Sequence, residues 1–165
     1  MEKNLLLIRH TKSDWGHVGL HDFERPLKAE RTGDAKRMSQ KLKALKVQPD
    51  LILCSPALRT RQTAEYFCHT LHYDYNHLQP EPRLYESSAE DYLQVIREVE
   101  AGVHTLLLFG HNPSITALAH YFLPRAIAHV PTTGVVWLRL QSSDWDLRST
   151  TPVELCGFFT PKTID

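Results

Sequence analysis

Two histidines and two arginines stand where buried strands are expected to end. Arg9 and His10 directly follow one apolar run, and His111 follows another after a single glycine, while Arg59 comes one helical turn after a third run. Arginine offers planar, bidentate hydrogen bonds to phosphate oxygens. A neutral imidazole is a nucleophile near pH 7, because its reference pKa is about 6.5. Together these residue types predict a phosphate site in which a histidine can take a phosphoryl group.

Taken singly, each of these residues has a simpler interpretation. Arg9 is ordinary as a surface cation at a strand end, and His10 as a hydrogen-bonded structural histidine. Arg59 is ordinary on a solvated helix face, and His111 in a turn. Phosphoryl transfer depends mainly on positioning and on stabilisation of charge. The phosphate hypothesis therefore requires a fold that brings all four side chains together.

Alternating strand and helix patterns supply such a fold. Short apolar runs typical of strands buried on both faces occupy residues 5–8, 51–54, 106–109 and 135–138, with a weaker candidate at 153–159. Helical patterns occupy residues 28–46, 55–71, 87–99 and 114–123. In the first helix the expected buried face is Ala35, Met38, Leu42 and Leu45. Ser55 is the expected N-cap of the second, Ser87 to Glu90 has capping-box spacing, and the polar residues 72–83 are expected to form a surface excursion.

Strands that alternate with helices predict an α/β fold: a three-layer sandwich with a mostly parallel central sheet flanked by helices. The chain of 165 residues is long enough for one domain, which we expect to span residues 1–165. In such sheets, ligands bind beyond the carboxyl ends of the strands. The helix that begins near Ser55 would add backbone N–H donors and the positive end of its dipole.

The composition argues against several function classes. Lys plus Arg and Asp plus Glu both count 19, so the net charge of zero indicates no overall attraction to nucleic acid or to an anionic membrane. Three widely spaced cysteines suit no disulfide framework and are expected to be reduced. The N-terminal apolar run is too short for a signal peptide or a membrane span, so a cytoplasmic location is expected.

Ten histidines raise the question of a metal site. The chain has no HExxH motif and no close His/Cys cluster. His17 and His21 are four residues apart, but they lie in a glycine-containing stretch that is expected to be irregular. We therefore expect most of the histidines to be surface side chains, and no metal site is predicted.

The order of the motifs resembles the histidine phosphatase superfamily, which includes the phosphoglycerate mutases. The segment Arg9-His10-Thr11-Lys12-Ser13 lacks the glycine that usually follows Arg-His in the superfamily, and it is similar to the SixA-type phosphohistidine phosphatase branch. Further segments in order resemble that branch: DFERPL at 22–27, PDLILCSPALRTRQTA at 49–64, GHNP at 110–113 and Pro131-Thr132. Ordered blocks along nearly the whole chain are far more specific than a bare Arg-His pair.

The resemblance implies a role for each matching residue. His10 is the nucleophile and becomes transiently phosphorylated, while Arg9 and Arg59 clamp the phosphoryl oxygens. His111 donates a further hydrogen bond and helps to stabilise the transition state. Water then hydrolyses the phosphorylated histidine, and neither a metal nor another cofactor is required.

Several other residues are candidates of second rank, each with a structural alternative. Ser13 could bind phosphate or cap a turn, and Arg25 could contact substrate or pair with Asp22 to hold a loop. Asn112 could contact substrate or orient the loop that carries His111. Lys12 is a further candidate of the same rank. Three aromatic residues could line the cleft, although aromatic side chains usually belong to the core: Trp15, Phe23 and Tyr85.

Glu86 is a candidate general acid. Many superfamily members place a glutamate after the second block to protonate an alcohol leaving group, but the SixA branch generally lacks it. Glu86 is also expected near the start of a helix, where an acidic side chain is favourable without any catalytic role. A site without a general acid fits a phosphohistidine substrate better than a phosphate ester. General acid catalysis contributes about 10²–10⁴-fold to reactions that need it, and an imidazole leaves more readily than an alkoxide.

Three functions are therefore compared. The favoured one is a phosphohistidine phosphatase in signal transduction, with a phosphotransfer domain or a phosphocarrier protein as partner; the short chain lacks the large inserts that cover small-substrate sites. The second is a phosphomonoesterase or mutase acting on a small phosphate ester, which a working Glu86 would favour. The third is a non-catalytic phosphate-binding module, which the presence of His10 argues against. Neither nucleic acid nor a membrane is an expected partner.

Overall fold

A computed structural model describes residues 1–16 and 19–164 of the chain. These residues form a six-stranded sheet in the order β3-β2-β4-β1-β5-β6. The strands are β1 Glu2–Arg9, β2 Leu51–Cys54, β3 Gln79–Pro80, β4 Thr105–Gly110, β5 Val135–Gln141 and β6 Val153–Phe159. The first four strands in that order are parallel to one another, and β5 and β6 add antiparallel pairs at one edge. The sheet is therefore mixed, with its parallel part where the site was predicted.

Helices cover both faces of the sheet. They are α1 Thr32–Ala44, α2 Leu58–Thr70, α3 Ala89–Arg97 and α4 Ser114–Phe122. Successive residues of β1 point to opposite faces: Leu5 packs in the core beside α3 and α4, and Leu6 in the core beside α1 and α2. Since both faces are buried, the strand reads as a continuous apolar run. The predicted three-layer α/β sandwich is confirmed.

Two predicted helix starts were wrong. Ala57, not Ser55, precedes the first residue of α2, because the Ser55 hydroxyl accepts the Ala57 N–H at 3.3 Å and contacts a histidine across the sheet edge. The capping box of α3 is formed by Ser88 and Asp91, whose side chains each accept the other's backbone N–H. At α3 two adjacent serines offer alternative caps, and the backbone path decides between them; α2 begins without a side-chain cap.

Two further details differ from the sequence-based expectation. Leu45 lies just beyond the end of α1 and is 40% exposed, so it is not part of the buried face of that helix. Residues 72–83 include the short strand β3, which pairs with β2, together with two 3₁₀ turns. A two-residue strand that contains a proline carries too little periodicity to be recognised.

The remaining predictions concern cysteines, histidines and membranes. Cys54, Cys68 and Cys156 are free thiols, the first two buried, as expected. His21 is exposed, and His17 lies outside the described residues. Among the described residues, no helix has the length and apolarity needed to cross a lipid bilayer.

Candidate active site

The carboxyl ends of β1, β2 and β4 lie side by side because these strands are parallel neighbours in the sheet. Arg9 pairs in register with Gly110, and the His10 N–H donates to the Gly110 carbonyl at 3.1 Å. The Ser55 N–H donates to the Phe109 carbonyl at 3.0 Å. A cavity of about 530 Å³ opens at this edge. Its walls include the four residues predicted to be catalytic, the candidate acid and three predicted substrate contacts: Arg9, His10, Arg59, His111, Glu86, Ser13, Arg25 and Asn112.

His10 is held as a neutral imidazole with one free nitrogen. Its Nδ1 lies 2.7 Å from the Thr11 carbonyl oxygen, which can only accept, so Nδ1 carries the proton and Nε2 keeps its lone pair. The side chain is only 8% exposed. Burial lowers the pKa of His10 to about 3, and the positive charges of Arg59 and Arg9 act in the same direction. The ring can therefore act as a nucleophile at neutral pH.

His111 lies beside His10, with 5.1 Å between the ring centroids. Its Nε2 is 2.7 Å from the Ser55 hydroxyl and 3.3 Å from the Thr60 hydroxyl, and its Nδ1 is 3.4 Å from Nη2 of Arg59. Burial, followed by the charge of Arg59, lowers the pKa of His111 to about 4. His111 is therefore also neutral near pH 7, when it can donate from one ring nitrogen only.

Arg59 and Arg9 place two guanidinium groups at the same cavity. Arg59 is almost fully buried and donates from Nη1 to the Asp22 backbone carbonyl at 2.8 Å and from Nη2 to the Asp22 carboxylate at 3.0 Å. Arg9 is partly buried and donates to the Val130 carbonyl at 3.2 Å. Among the described residues, the buried Nε groups of Arg9 and Arg59 have no hydrogen-bond partner. Unpaired buried N–H donors are costly, and an anion in the cavity is one means of satisfying them.

Asp22 links the arginines to the rest of the cleft. Its carboxylate accepts from Arg25 at 2.8 Å and 3.1 Å, from Arg59 at 3.0 Å and from the Tyr85 hydroxyl at 2.8 Å. Partial burial works to raise the pKa of Asp22, but these hydrogen bonds outweigh it and hold the pKa well below its usual range. The Asp22–Arg25 ion pair is the structural alternative considered above. The Asp22–Arg59 and Asp22–Tyr85 contacts were missed, because the partners lie far apart in the sequence.

A model of the histidine phosphatase superfamily (branch 1) matches residues 5–102, which is more than half of the chain. The chain belongs to the histidine phosphatase superfamily. Hence the enzyme class predicted from the motifs, a phosphatase among the hydrolases, is confirmed.

Relatives of this histidine phosphatase differ in how much of the chain they share. An uncharacterized protein of Mycobacterium tuberculosis is 31% identical over 165 aligned residues, which cover 94% of this chain and 100% of that protein. An uncharacterized chloroplastic protein of Arabidopsis thaliana is 41% identical over 63 residues, which cover 38% of this chain and 29% of that protein. The shared segment is therefore a minor part of the plant protein.

Solved structures share the fold at lower identity. The Agrobacterium tumefaciens protein that bears the name phosphohistidine phosphatase SixA superposes with a TM-score of 0.83 at 25% identity, over 96% of this chain and 98% of that one. A mycobacterial glucosyl-3-phosphoglycerate phosphatase superposes with a TM-score of 0.69 at 15% identity, over 94% and 98% of the two chains. At that identity the second likeness is one of fold alone.

A buried tyrosine that the sequence analysis did not single out anchors the His111 loop of this histidine phosphatase. The Tyr92 hydroxyl accepts the His111 N–H at 3.0 Å and donates to the Leu84 carbonyl at 2.6 Å. A Cβ atom at Gly110 would lie 2.5 Å from that hydroxyl, so glycine is required before His111. Tyr92 thereby ties the segment that carries Tyr85 to the one that carries His111. Its place within the helical pattern at residues 87–99 gave no indication of this role.

Replacement of Tyr92 by phenylalanine is expected to lower the free energy of unfolding by about 2 kcal/mol, since each buried polar group left unpaired costs about 1–3 kcal/mol. The His111 N–H and the Leu84 carbonyl would both lose their side-chain partner. Urea unfolding followed by circular dichroism measures the change. The exposed Tyr75, replaced in the same way, serves as the control, and equal small effects of the two substitutions would contradict the anchoring role.

The second-rank residues divide between internal contacts and the rim of the cleft. The Ser13 hydroxyl accepts from Arg25. Asn112 donates to the Val130 carbonyl at 2.8 Å and accepts from the Thr116 N–H and hydroxyl, an arrangement that fits the orienting alternative. Trp15 and Phe23 are not core residues, although aromatic side chains usually are: Trp15 is 76% exposed and stacks on Arg25, and Phe23 is 37% exposed and packs edge-on against Tyr85.

Glu86 does not lie at the start of a helix. It is exposed in the wall of the cavity with a backbone φ of 50°, and α3 begins three residues later at Ala89. It thus lies two residues before the N-cap, Ser88, and outside the first turn, where an acidic side chain gains most from the helix dipole. Its proximity to the cavity keeps the question of a general acid open to experiment.

The neutral state of both histidines predicts an unusual response to pH. Because the pKa values of His10 and His111 are lowered to about 3 and about 4, we expect both rings to stay uncharged from pH 8 down to about pH 5. A histidine in the unfolded chain binds a proton near pH 6.5. The free energy of unfolding is therefore not reduced by these two groups above about pH 6.5, and it falls as the pH is lowered from there toward their folded-state pKa values of about 3 and about 4. Titration of the imidazole ¹⁵N resonances measures the pKa values, and midpoints near 6.5 would contradict this account.

Proposed function

We propose that this protein is a phosphohistidine phosphatase that transfers a phosphoryl group from a protein histidine to His10 and then to water. The observation that carries the proposal is the neutral, buried His10, whose Nδ1–H is bound to the Thr11 carbonyl and whose Nε2 is free to attack. Arg9 and Arg59 lie at the same cavity, where guanidinium groups can donate to phosphoryl oxygens. The name of the Agrobacterium tumefaciens structure supports the same substrate class.

The reaction proceeds in two displacements. In the first, the Nε2 lone pair of His10 forms a bond to phosphorus, and the N–P bond of the substrate breaks with its electron pair moving to the substrate imidazole, which takes a proton from solvent. In the second, a water oxygen bonds to phosphorus, the electron pair of the broken N–P bond returns to Nε2 of His10, and inorganic phosphate leaves with the protons of the water. The arginines and His111 stabilise the equatorial oxygens during both steps.

The ionised state of Asp22 favours an N–P substrate over an ester. Asp22 is the acid closest to the arginines, and its hydrogen bonds keep it ionised, so it has no proton to give near pH 7. Glu86 lies exposed at the cavity wall. An alkoxide leaving group needs a positioned acid, whereas an imidazole leaving group needs less help. We expect the partner to be a phosphotransfer domain or a phosphocarrier in cytoplasmic signal transduction.

The test compares two substrates in the presence of EDTA. A phosphohistidine-bearing protein and p-nitrophenyl phosphate are incubated with the enzyme, and phosphate release is measured. We expect fast release from phosphohistidine and slow release from the ester. Ester turnover that equals or exceeds phosphohistidine turnover would overturn the proposal in favour of a small-metabolite phosphatase. Failure to turn over either substrate, with phosphate still bound, would leave a binding module.

The ester alternative has one observation in its favour, the presence of Glu86 in the cavity wall. Under the proposed function, replacing Glu86 by glutamine should change phosphohistidine turnover less than about threefold, because no acid is required. A working acid contributes about 10²–10⁴-fold, so a loss of that size confined to p-nitrophenyl phosphate would identify Glu86 as the acid for esters. The matched control is the exposed Glu65 on α2, replaced by glutamine. A large loss on phosphohistidine would contradict the proposed mechanism.

A further inference from the structure

Ser55 is a buried hydroxyl whose hydrogen bonds lead to His111. It directly follows β2, is fully buried, and accepts the Ala57 N–H at 3.3 Å. Its Oγ lies 2.7 Å from Nε2 of His111, and the Thr60 hydroxyl is more distant from the same nitrogen at 3.3 Å. Ser55 is therefore the main partner of the His111 nitrogen that lies on the side away from Arg59.

A neutral imidazole donates from one nitrogen and accepts at the other, so the two contacts of His111 depend on each other. Nδ1 lies 3.4 Å from Nη2 of Arg59, and a guanidinium can only donate. With these contacts, Nδ1 accepts from Arg59 and Nε2–H donates to Ser55. A hydroxyl suits this position because it accepts here and can also donate.

Binding of a phosphoryl group reverses the requirement at Nδ1. Phosphoryl oxygens accept hydrogen bonds, so His111 can hold one only if Nδ1 carries the proton and Nε2 becomes the acceptor. A carbonyl or a carboxylate in place of Ser55 could not follow this change, because neither can donate to Nε2. The number of protons on His111 stays the same, since one leaves Nε2 for solvent and one reaches Nδ1.

We propose that Ser55 is a positioning residue whose hydroxyl reverses its hydrogen bond to His111 when a phosphoryl group binds, so that His111 presents Nδ1–H to that group. The inference rests on the proposed function, in which His111 is a hydrogen-bond donor to the phosphoryl oxygens. It adds the residue and the tautomer that make this donation feasible for an uncharged ring.

The tautomer of His111 can be observed directly by NMR. In ¹⁵N-labelled wild-type protein, two-bond ¹H–¹⁵N spectra should show the Nε2–H tautomer without ligand and the Nδ1–H tautomer once tungstate, a phosphate mimic, is bound. A His111 ring that retains Nε2–H with tungstate bound, or that becomes doubly protonated, would overturn the inference. This measurement needs no variant and no turnover.

Substitution of Ser55 tests whether the hydroxyl is responsible. Ser55→Ala is expected to lower kcat for phosphohistidine roughly 10-fold, the effect of about one lost hydrogen bond, and to reduce the Nδ1–H population with tungstate. In a His111→Ala background the same substitution should have no further effect on kcat, whereas a general loss of stability would lower both. Thr60→Val, which removes the more distant hydroxyl, should have a smaller effect.

The outcomes separate this inference from the proposed function. Wild-type turnover of phosphohistidine together with an unchanged His111 tautomer would overturn the inference and leave the function intact. A tautomer change with tungstate in a protein that turns over only phosphate esters would support the inference and overturn the function. Equal kcat for wild type and Ser55→Ala would also count against the role of Ser55.

Discussion

Replacement of His10 by alanine is expected to lower phosphohistidine turnover by at least about 10⁴-fold, because the variant has no atom that can form the covalent intermediate. The neighbouring imidazole of His111 is poorly placed to substitute for it, because its Nε2 is engaged with Ser55 and its Nδ1 faces Arg59. Phosphate release and mass spectrometry of the rapidly quenched enzyme give the two measurements. The wild type should gain the mass of one phosphoryl group, and the variant should not.

The matched control for His10→Ala is His69→Ala, which removes an exposed histidine from α2. The control should retain wild-type turnover and the phosphorylated intermediate. A phosphoryl adduct that persists in His10→Ala would place the nucleophile elsewhere. Turnover reduced less than about 10-fold would indicate direct attack by water on the substrate, and the two-displacement mechanism would then be wrong.

Replacement of Arg59 by alanine is expected to lower kcat/KM by about 10²–10³-fold, the range typical for loss of a donor that stabilises transition-state charge. Arg59 is nearly fully buried and lines the cavity, so its charge is little screened by solvent and acts on a phosphoryl group bound there. Arg59→Lys should recover only part of the loss. Lysine restores the charge but lacks the planar fork that can bind Asp22 and a phosphoryl oxygen together.

The control for Arg59 is Arg37→Ala, which removes an exposed arginine of α1 that pairs with Asp34. Its kcat/KM should stay within about twofold of the wild type. Arg59→Ala also removes two hydrogen bonds to Asp22. Its folding must therefore be checked by circular dichroism before the kinetic comparison. A folded Arg59→Ala enzyme with kcat/KM within 10-fold of the wild type would show that this arginine holds Asp22 in place and takes no part in charge stabilisation.

The amino-acid sequence by itself determined the layers of the fold and the places where chemistry could occur. A strand covered on both faces must be apolar at every position, so the interior of β1 and of β4 is visible as a continuous run. The end of such a run marks the edge of the sheet, and that is where Arg9, His10 and His111 lie. Their arrival at one cavity follows from the parallel order of the strands, which short loops and crossover helices impose.

Only the tertiary structure decided which side chains complete the site. Asp22 reaches Arg59 across 37 residues of sequence, and Tyr92 reaches His111 across 19, with no local pattern to mark either pair. Ser55 shows the same limit, because its sequence context is that of a helix cap while its hydroxyl contacts His111, which follows another strand. Periodicity records which face of an element is buried, since burial acts on every residue of that face. A hydrogen bond between distant side chains depends instead on how whole elements pack, and that is settled only when the chain has folded.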